Sequence, residues 1–430
     1  PNNTIKPNNT IKPNNTIKRS QSVPASMDKF DYKEIKQNLF NSTDWAKTTD
    51  LEQNTLEKIL NNSKILPRPL TIYEENEIKT ISKYDYTFSK LYYIGDTFKT
   101  NYDVGIKDLD EYYIFIENDH ILYRYKTISK IGKGVYGQVL KCVDKKNKFN
   151  CALKISRSNY NFKKSYKNEV EILKILNYNL DYYTRISKTK SDLISILYKT
   201  FIWRGHGIIS LKLYDKNLHN ANINEYHINA LKIIMIDIFE ALNYCEYHGI
   251  IHCDLKPENI FFINDRTYNI VIGDFGLSIN INHHTAYTHN IQTIWYRAPE
   301  VICKLPYSYS IDIWSVGVII LELIAHKPIF KTQKECVIYF QMMYFLDEPN
   351  DYGKRHSSKR ESELMSDFKK ITTEYDIVYF KTRINEIKKS LTNYDVELFN
   401  FIKEHLLLWD PTKRYSAAQA LKFILNEETI

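Results

Sequence analysis

Two short runs constrain what this chain can fold into. They are Ile251-His252-Cys253-Asp254-Leu255-Lys256-Pro257-Glu258-Asn259 and, after one hydrophobic stretch, Gly273-Asp274-Phe275-Gly276. In the first, a proline stiffens the backbone while Asp254, Lys256 and Asn259 follow in close succession, and three converging polar side chains on such a loop have little structural purpose without a ligand. The residue types say which kind of ligand. Carboxylate and amide oxygens suit a hard cation, and an ammonium lowers the cost of negative charge gathering on phosphate oxygens. An isolated Asp-Phe-Gly is a common turn tripeptide, so the longer run carries most of the weight.

With 430 residues, 43% of them hydrophobic, the chain has room for one large two-lobed domain plus extensions. Its net charge of +8 is spread over basic and acidic residues interleaved along nearly the whole length, so no Lys/Arg stripe argues for nucleic acid. The six cysteines lack any C-x-x-C pair. That disfavours a zinc site and a secreted disulfide scaffold, and points to a reducing intracellular compartment, cytoplasm or nucleus. Ile311 to Ala325 contains Asp312 and Glu322 and is too short to span a bilayer, so it reads as a buried helix; no signal peptide or membrane-spanning segment is evident. The 34 tyrosines and plentiful Asn, Ile and Lys fit an A/T-rich genome such as that of an amoeba, an apicomplexan or a large DNA virus, in which last case the compartment is a host cell's.

Residues 1–18 repeat Pro-Asn-Asn-Thr-Ile-Lys three times, a unit too polar to build a core, and are expected to form a disordered tail. Residues 19–109 form an extension without a nameable pattern, mixing amphipathic patches such as Leu51 to Leu60 with the breaker Pro67-Arg68-Pro69. From Tyr112 to Ile116 and from His120 to Tyr123 a β-hairpin is expected. Arg124 to Ile131, Gln138 to Val143 and Asn150 to Ile155 then read as strands of a small antiparallel sheet. Tyr166 to Leu176 places Val170, Ile172, Leu173, Ile175 and Leu176 on one helical stripe. Further helices are expected over Asn229 to His248, Ile311 to Ala325 and Ala417 to Leu425. A β-rich lobe followed by a helical lobe results.

Gly132-Lys133-Gly134-Val135-Tyr136-Gly137-Gln138-Val139 joins two of these strands. Its glycines let backbone amides approach phosphate oxygens, though a plain hairpin turn would look the same. Ala152-Leu153-Lys154 follows on the next β segment. Taken with the two opening runs, this order is similar to that of eukaryotic-type protein kinases. From about Asp110 to Ile430 the chain resembles a serine/threonine kinase of the CMGC group, an α+β fold of a small β-rich N-lobe (about 110–213) and a larger helical C-lobe (about 214–430), with that group's insert over about 331–398. His-Cys-Asp, the hairpin ahead of Arg124-Tyr125, and Asn217-Leu218 resemble the DYRK and CLK kinases. Tyr287-Thr288-His289-Asn290 looks closer to a cyclin-dependent kinase activation loop.

The resemblance implies ATP and Mg2+ as cofactors, and protein substrates. It makes Asp254 the acceptor of the hydroxyl proton, Lys256 the cation that neutralises the moving phosphoryl group, and Asn259 and Asp274 the magnesium ligands. Ile131, Gly132, Gly134, Gly137, Val139 and Ala152 would enclose the nucleotide. Lys154 would reach its α and β phosphates, held by Glu169, with Glu171, roughly 200° further round the helix, as the near alternative. Leu211 would be the gatekeeper, Lys212 and Leu213 would face adenine, and Asn217 the ribose. Thr288, Thr293 and Arg297 would belong to the activation and substrate loop, while Glu300, Arg414 and Asp312 would be structural. Cys253 and Asn290 depart from the pattern: the first removes the arginine that grips a loop phosphate, the second the tyrosine through which DYRK kinases activate themselves. Control by loop phosphorylation is therefore not expected. A pseudokinase scaffold, or a kinase-fold enzyme acting on a small molecule, are the alternatives.

Overall fold

A computed structural model describes residues 68–84, 90–95, 107–187, 192–221, 228–264, 267–282, 290–346 and 358–426. The repeats, the Leu51 to Leu60 patch, Tyr287 and Thr288 lie outside the described residues. Six antiparallel strands form the small lobe: β1 (His120–Ile121), β2 (Tyr125–Gly134), β3 (Gly137–Asp144), β4 (Phe149–Ser156), β5 (Leu197–Trp203) and β6 (His206–Lys212), in the spatial order β1-β2-β3-β4-β6-β5. Strands β2, β3 and β4 overlap the segments read as strands from the sequence. Leu197–Trp203 went unread, although its turn is a two-residue hairpin with Arg204 at φ 48° and Gly205 at φ 83° closing the pair Trp203 and His206.

The hairpin expected over 112–116 and 120–123 does not form. Tyr113 bridges Lys107 instead, and His120–Ile121 pairs with Tyr125 and Lys126. The chain reverses at Leu122 and Tyr123, both in the left-handed region at φ 53° and 49°, so the turn begins three residues beyond the end of the polar Glu117-Asn118-Asp119.

The extension supplies a helix, α1 (Ile72–Tyr84), which packs on the outer face of this sheet. Ile78, Leu91, Ile94 and Tyr113 are buried there against Tyr123, Tyr125, Leu140, Cys142, Cys151, Trp203 and Ile208. One ion pair ties it to the β5–β6 turn, Arg204 to Glu77 at 2.9 Å, and another closes its first turn, Arg68 to Glu74 at 2.6 Å. Residues 68–84 and 90–95, ahead of the expected domain start at 110, are thus packed on the sheet.

On the other face lies α2 (Tyr160–Ser187), longer than its apolar stripe suggested. The large lobe is built round α3 (Ile228–Tyr247) and α5 (Ser310–Ala325), with the short α4 (Pro299–Ile302), α6 (Glu335–Leu346) and α10 (Ala417–Asn426) packed about them. The insert contributes α7 (Ser358–Ile371) and α8 (Glu374–Tyr394), then α9 (Val396–Phe401); α8 starts at a capping box in which Thr373 and Asp376 satisfy each other's backbone N–H. Helix α5 is buried on every side, and Gly317 lets it approach the chain after α9, since a Cβ there would stand 2.8 Å from Leu407. Its polar exceptions, Asp312, Ser315 and Glu322, fall within about 80° of one another round the helix. All three face the loops of the functional site.

Candidate active site

Strand β4 carries Lys154 into the cleft between the lobes, where its Nζ lies 2.6 Å from Glu169 Oε1 on α2 and 2.7 Å from Asp274 Oδ1. The choice between Glu169 and Glu171 is thereby made. Burial works against the lysine's charge, but the two carboxylates overrule it and hold its pKa above the ordinary value. The same ammonium acts differently on its two partners. Burial lifts Glu169, 6% exposed at its side chain, above the usual carboxylate range. Asp274, 43% open to the cleft, also feels burial, yet Lys154, by charge and hydrogen bond, and Lys256 draw it down to about 2.

Asp274 takes up φ 61°, a conformation costly for a residue with a Cβ, while Phe275 next to it is fully buried against His252. The packed phenyl ring anchors the turn that leaves the carboxylate facing Lys154. Ahead of it, Gly273 is required by close approach, because a Cβ would stand 2.2 Å from Ser195 Oγ.

The catalytic-loop residues converge as a hydrogen-bonded knot. Lys256 Nζ donates to Asp254 Oδ2 (2.8 Å) and Thr293 Oγ1 (3.1 Å), and the Thr293 hydroxyl donates to Asp254 Oδ1 (2.7 Å). Asn259 Nδ2 donates to the Asp254 carbonyl (2.8 Å), which leaves the amide oxygen as the end able to face a cation. His252 Nε2 donates to Gly273 O (3.0 Å) and its Nδ1 accepts from Asp254 N (3.2 Å). Both bonds need a neutral imidazole with the proton on Nε2, and burial pushes its pKa down accordingly.

Asp312 braces this loop from α5, accepting from His252 N (2.7 Å) and Cys253 N (3.0 Å). Burial pushes its carboxyl up to about 7, against the two amide hydrogen bonds that favour the anion and with the charge of Asp254 adding to the rise. Asp312→Ala would leave two buried N–H groups without acceptors, at about 1–3 kcal/mol each, and lower kcat as the loop slackens. Because the folded pKa is raised, this carboxyl's contribution to stability is complete below about pH 4 and is lost as pH rises through about 7. The gap between wild type and variant in denaturant midpoint is therefore expected to narrow between about pH 4 and pH 7 and to stay constant above.

The glycines of the β2–β3 hairpin divide by role. A Cβ on Gly137 would lie 2.1 Å from Ile155 O, so that glycine is required by the sheet; at Gly134 it would meet nothing within 4 Å, and at Gly132 only Val139. Gly132 and Gly134 thus leave room for a ligand's close approach, as a triphosphate needs. Ile131 at the mouth is exposed, Val139 is half-buried and Ala152 is buried. Leu211 and Lys212 end β6, opposite Ala152 and Cys151, and Leu213 follows outside the strand. The residues present fit ATP with magnesium: an anchored lysine, an open glycine turn, and an oxygen donor set at Asn259 and Asp274.

Asn217, the residue expected to face the ribose, has its side chain engaged on both ends. Its Nδ2 donates to Glu258 O (3.1 Å) and its oxygen accepts from Asn220 N (2.9 Å), so it ties the segment after β6 to the catalytic loop. Arg297 is likewise drawn inward: Nη1 meets Glu335 Oε1 at 2.7 Å, and Nη2 donates to Gln292 O at 2.9 Å. Sequence reasoning missed Gln292. Its side chain donates to Ile311 O and Ser315 Oγ (2.9 Å each) and accepts from Ala298 N (2.9 Å), and its backbone N–H donates to Cys253 O (2.7 Å). A glutamine just ahead of an apolar run was the available signal. Glu300 and Arg414 form a fully buried two-pronged pair at 2.6 and 2.7 Å. Cys253 is buried at φ 64°, its thiol pushed up by desolvation.

Comparison with known proteins agrees with this arrangement. The protein kinase domain family matches residues 125–424. Human dual specificity tyrosine-phosphorylation-regulated kinase 4 is 30% identical over 377 residues, covering 84% of this chain and 68% of the relative. Serine/threonine-protein kinase ppk5 of Schizosaccharomyces pombe is 30% identical over 413 residues, covering 88% of this chain and 48% of the relative. A probable serine/threonine-protein kinase, dyrk2 of Dictyostelium discoideum, is 30% identical over 374 residues, covering 84% and 39%. The chain thus spans between about two fifths and two thirds of the length of these relatives. With its lysine, aspartates and asparagine assembled in one cleft, the chain belongs to the protein kinase family, among the relatives of the dual-specificity tyrosine-phosphorylation-regulated kinases of the CMGC group.

Proposed function

We propose that the chain transfers the γ-phosphoryl group of ATP to serine and threonine hydroxyls of protein substrates, inside the cell. The observation that carries this reading is the joining of Lys256 and Thr293 to the two oxygens of Asp254. When bound, ATP with magnesium supplies the electrophilic phosphoryl group and part of the charge neutralisation. Asp254 orients the acceptor hydroxyl and takes its proton at a carboxylate oxygen, and Lys256 offsets the charge that grows on the transferring oxygens. Thr293, bonded to both, keeps the pair in register and favours an aliphatic acceptor over a phenol. Lys154 holds the phosphates from the far side, fixed by Glu169.

A pseudokinase reading is disfavoured because Lys154, Asp254, Asn259 and Asp274 are present and mutually placed. Transfer of radiolabel from ATP to a library of Ser, Thr and Tyr peptides, with Lys154→Met as control, tests the proposal. Label on Ser and Thr peptides that vanishes in the control is expected. Label confined to small molecules, or equal in both proteins, would overturn it.

A further inference from the structure

We propose that Tyr112, in the segment ahead of the sheet, is a positioning residue for the nucleotide: it latches the glycine-rich hairpin in the place where that hairpin covers the phosphates of ATP. The inference rests on the kinase reading of this cleft and adds to it a residue from outside the family-matched region, which begins at residue 125.

Residues 107–113 make a tight, self-bonded turn. Asp108 Oδ1 accepts from Asp110 N (3.0 Å) and Tyr112 N (2.9 Å), Lys107 bridges Tyr113, and Glu111 adopts φ 65°. The turn is fastened to the sheet at both sides, by Gln138 Nε2 donating to Tyr113 O (2.6 Å) and Ser158 N donating to Glu111 O (3.2 Å). From this fixed base the Tyr112 hydroxyl donates to Gly134 O at 2.8 Å. Lys133, at the hairpin itself, sets its ammonium 4.0 Å from the centre of the Tyr112 ring, and the Arg157 guanidinium lies 4.8 Å from it.

Arg157 extends the latch. Its Nε donates to Asp110 O (2.7 Å), its Nη1 reaches Val135 O (3.4 Å), and its backbone N–H donates to Tyr136 O (3.1 Å). Three consecutive hairpin carbonyls, those of Gly134, Val135 and Tyr136, are therefore each held by a donor from outside the hairpin. Arg157 also lies 4.6 Å from the Phe162 ring on α2, and Phe162 meets the Tyr136 ring edge-on at 5.9 Å.

The physical need for such a latch follows from the glycines. Gly134 has no neighbour within 4 Å of a Cβ position, and Val135 is largely exposed, so side-chain packing does little to order the hairpin tip. A glycine-rich turn loses more conformational entropy on ordering than any other, and a ligand that must order it binds correspondingly less tightly. Bonds that hold the tip before the ligand arrives remove part of that cost. Only ligand groups that touch the tip gain from it, which here are the phosphates and not the adenine.

The experiment is calorimetric titration of the full chain with MgATP and, separately, with adenosine, for wild type, Tyr112→Phe and Tyr112→Ala, beside steady-state kinetics. Phe keeps the ring between the two cations and removes only the hydroxyl. Tyr112→Phe is expected to weaken MgATP binding about three- to tenfold, in line with one lost hydrogen bond, and Tyr112→Ala more. Adenosine affinity stays as in wild type, and KM for ATP rises while kcat is held. Unchanged MgATP affinity in both variants, or an equal loss for adenosine and MgATP, would overturn the latch. A wild type that binds MgATP no more tightly than adenosine would overturn instead the reading of the hairpin as a phosphate-binding element.

Discussion

Asp274→Asn is expected to reduce phosphoryl transfer by about three orders of magnitude, the loss that follows removal of a preorganised charge from a phosphoryl-transfer site. The substitution keeps the shape of the side chain and removes the charge that pairs with Lys154 at 2.7 Å and that a magnesium ion would share. Because this carboxylate is 43% open to the cleft and its ion pair is screened by water, the melting temperature should move little. Lys154→Met is expected to be equally inactive but less stable, since it leaves Glu169 buried without its cation. Single-turnover transfer measured across a magnesium titration checks both. Near-normal turnover of Asp274→Asn with the metal dependence of wild type would show that the metal is held elsewhere.

Arg414→Met is the substitution with the largest expected cost in stability, about 3–5 kcal/mol, because it strands the Glu300 carboxylate in a fully buried site. The same guanidinium donates to Leu408 O (2.7 Å) and Ser310 O (3.0 Å) and lies over the Trp314 ring, so three segments lose their common tie. Replacing both partners, as Glu300→Leu with Arg414→Met, should recover part of the loss by removing the stranded charge, while those two carbonyls stay unpaired. Denaturant titrations of the three proteins decide it. A single variant as stable as wild type would mean that the pair contributes nothing to the fold.

Much of the site was legible because its residues lie in short local runs whose chemistry is unusual: Asp254, Lys256 and Asn259 within one loop, Asp274 in one turn, Lys154 on a strand after a glycine hairpin. Their meeting in space follows from a known order of elements. What was not legible depends on partners distant in sequence. Nothing local to Asn217 signals that its amide donates to Glu258 O, from the catalytic loop. Arg297 looked substrate-facing, yet Glu335 on α6 neutralises it and is itself shared with Arg360 on α7 at 2.8 Å. The extension could not be read for the same reason: α1 has only a modest apolar face of its own, and that face acquires meaning from Trp203 and Tyr123 across the sheet. Strand β5 is a different case. Its Arg204-Gly205 turn was visible, and the β-branched and aromatic run Thr200-Phe201-Ile202-Trp203 ahead of it was passed over.

The docking of α1 has a practical consequence for anyone who trims this protein to its recognisable motifs. A fragment begun at Asp110 would keep each residue assigned here to ATP, magnesium or catalysis, and would still be a poor reagent. Its sheet would present Tyr123, Trp203 and Ile208 to water as one contiguous greasy surface, and Arg204 would lose the carboxylate of Glu77. Such a fragment would fail in the expression tube, by clumping, before its chemistry could be measured.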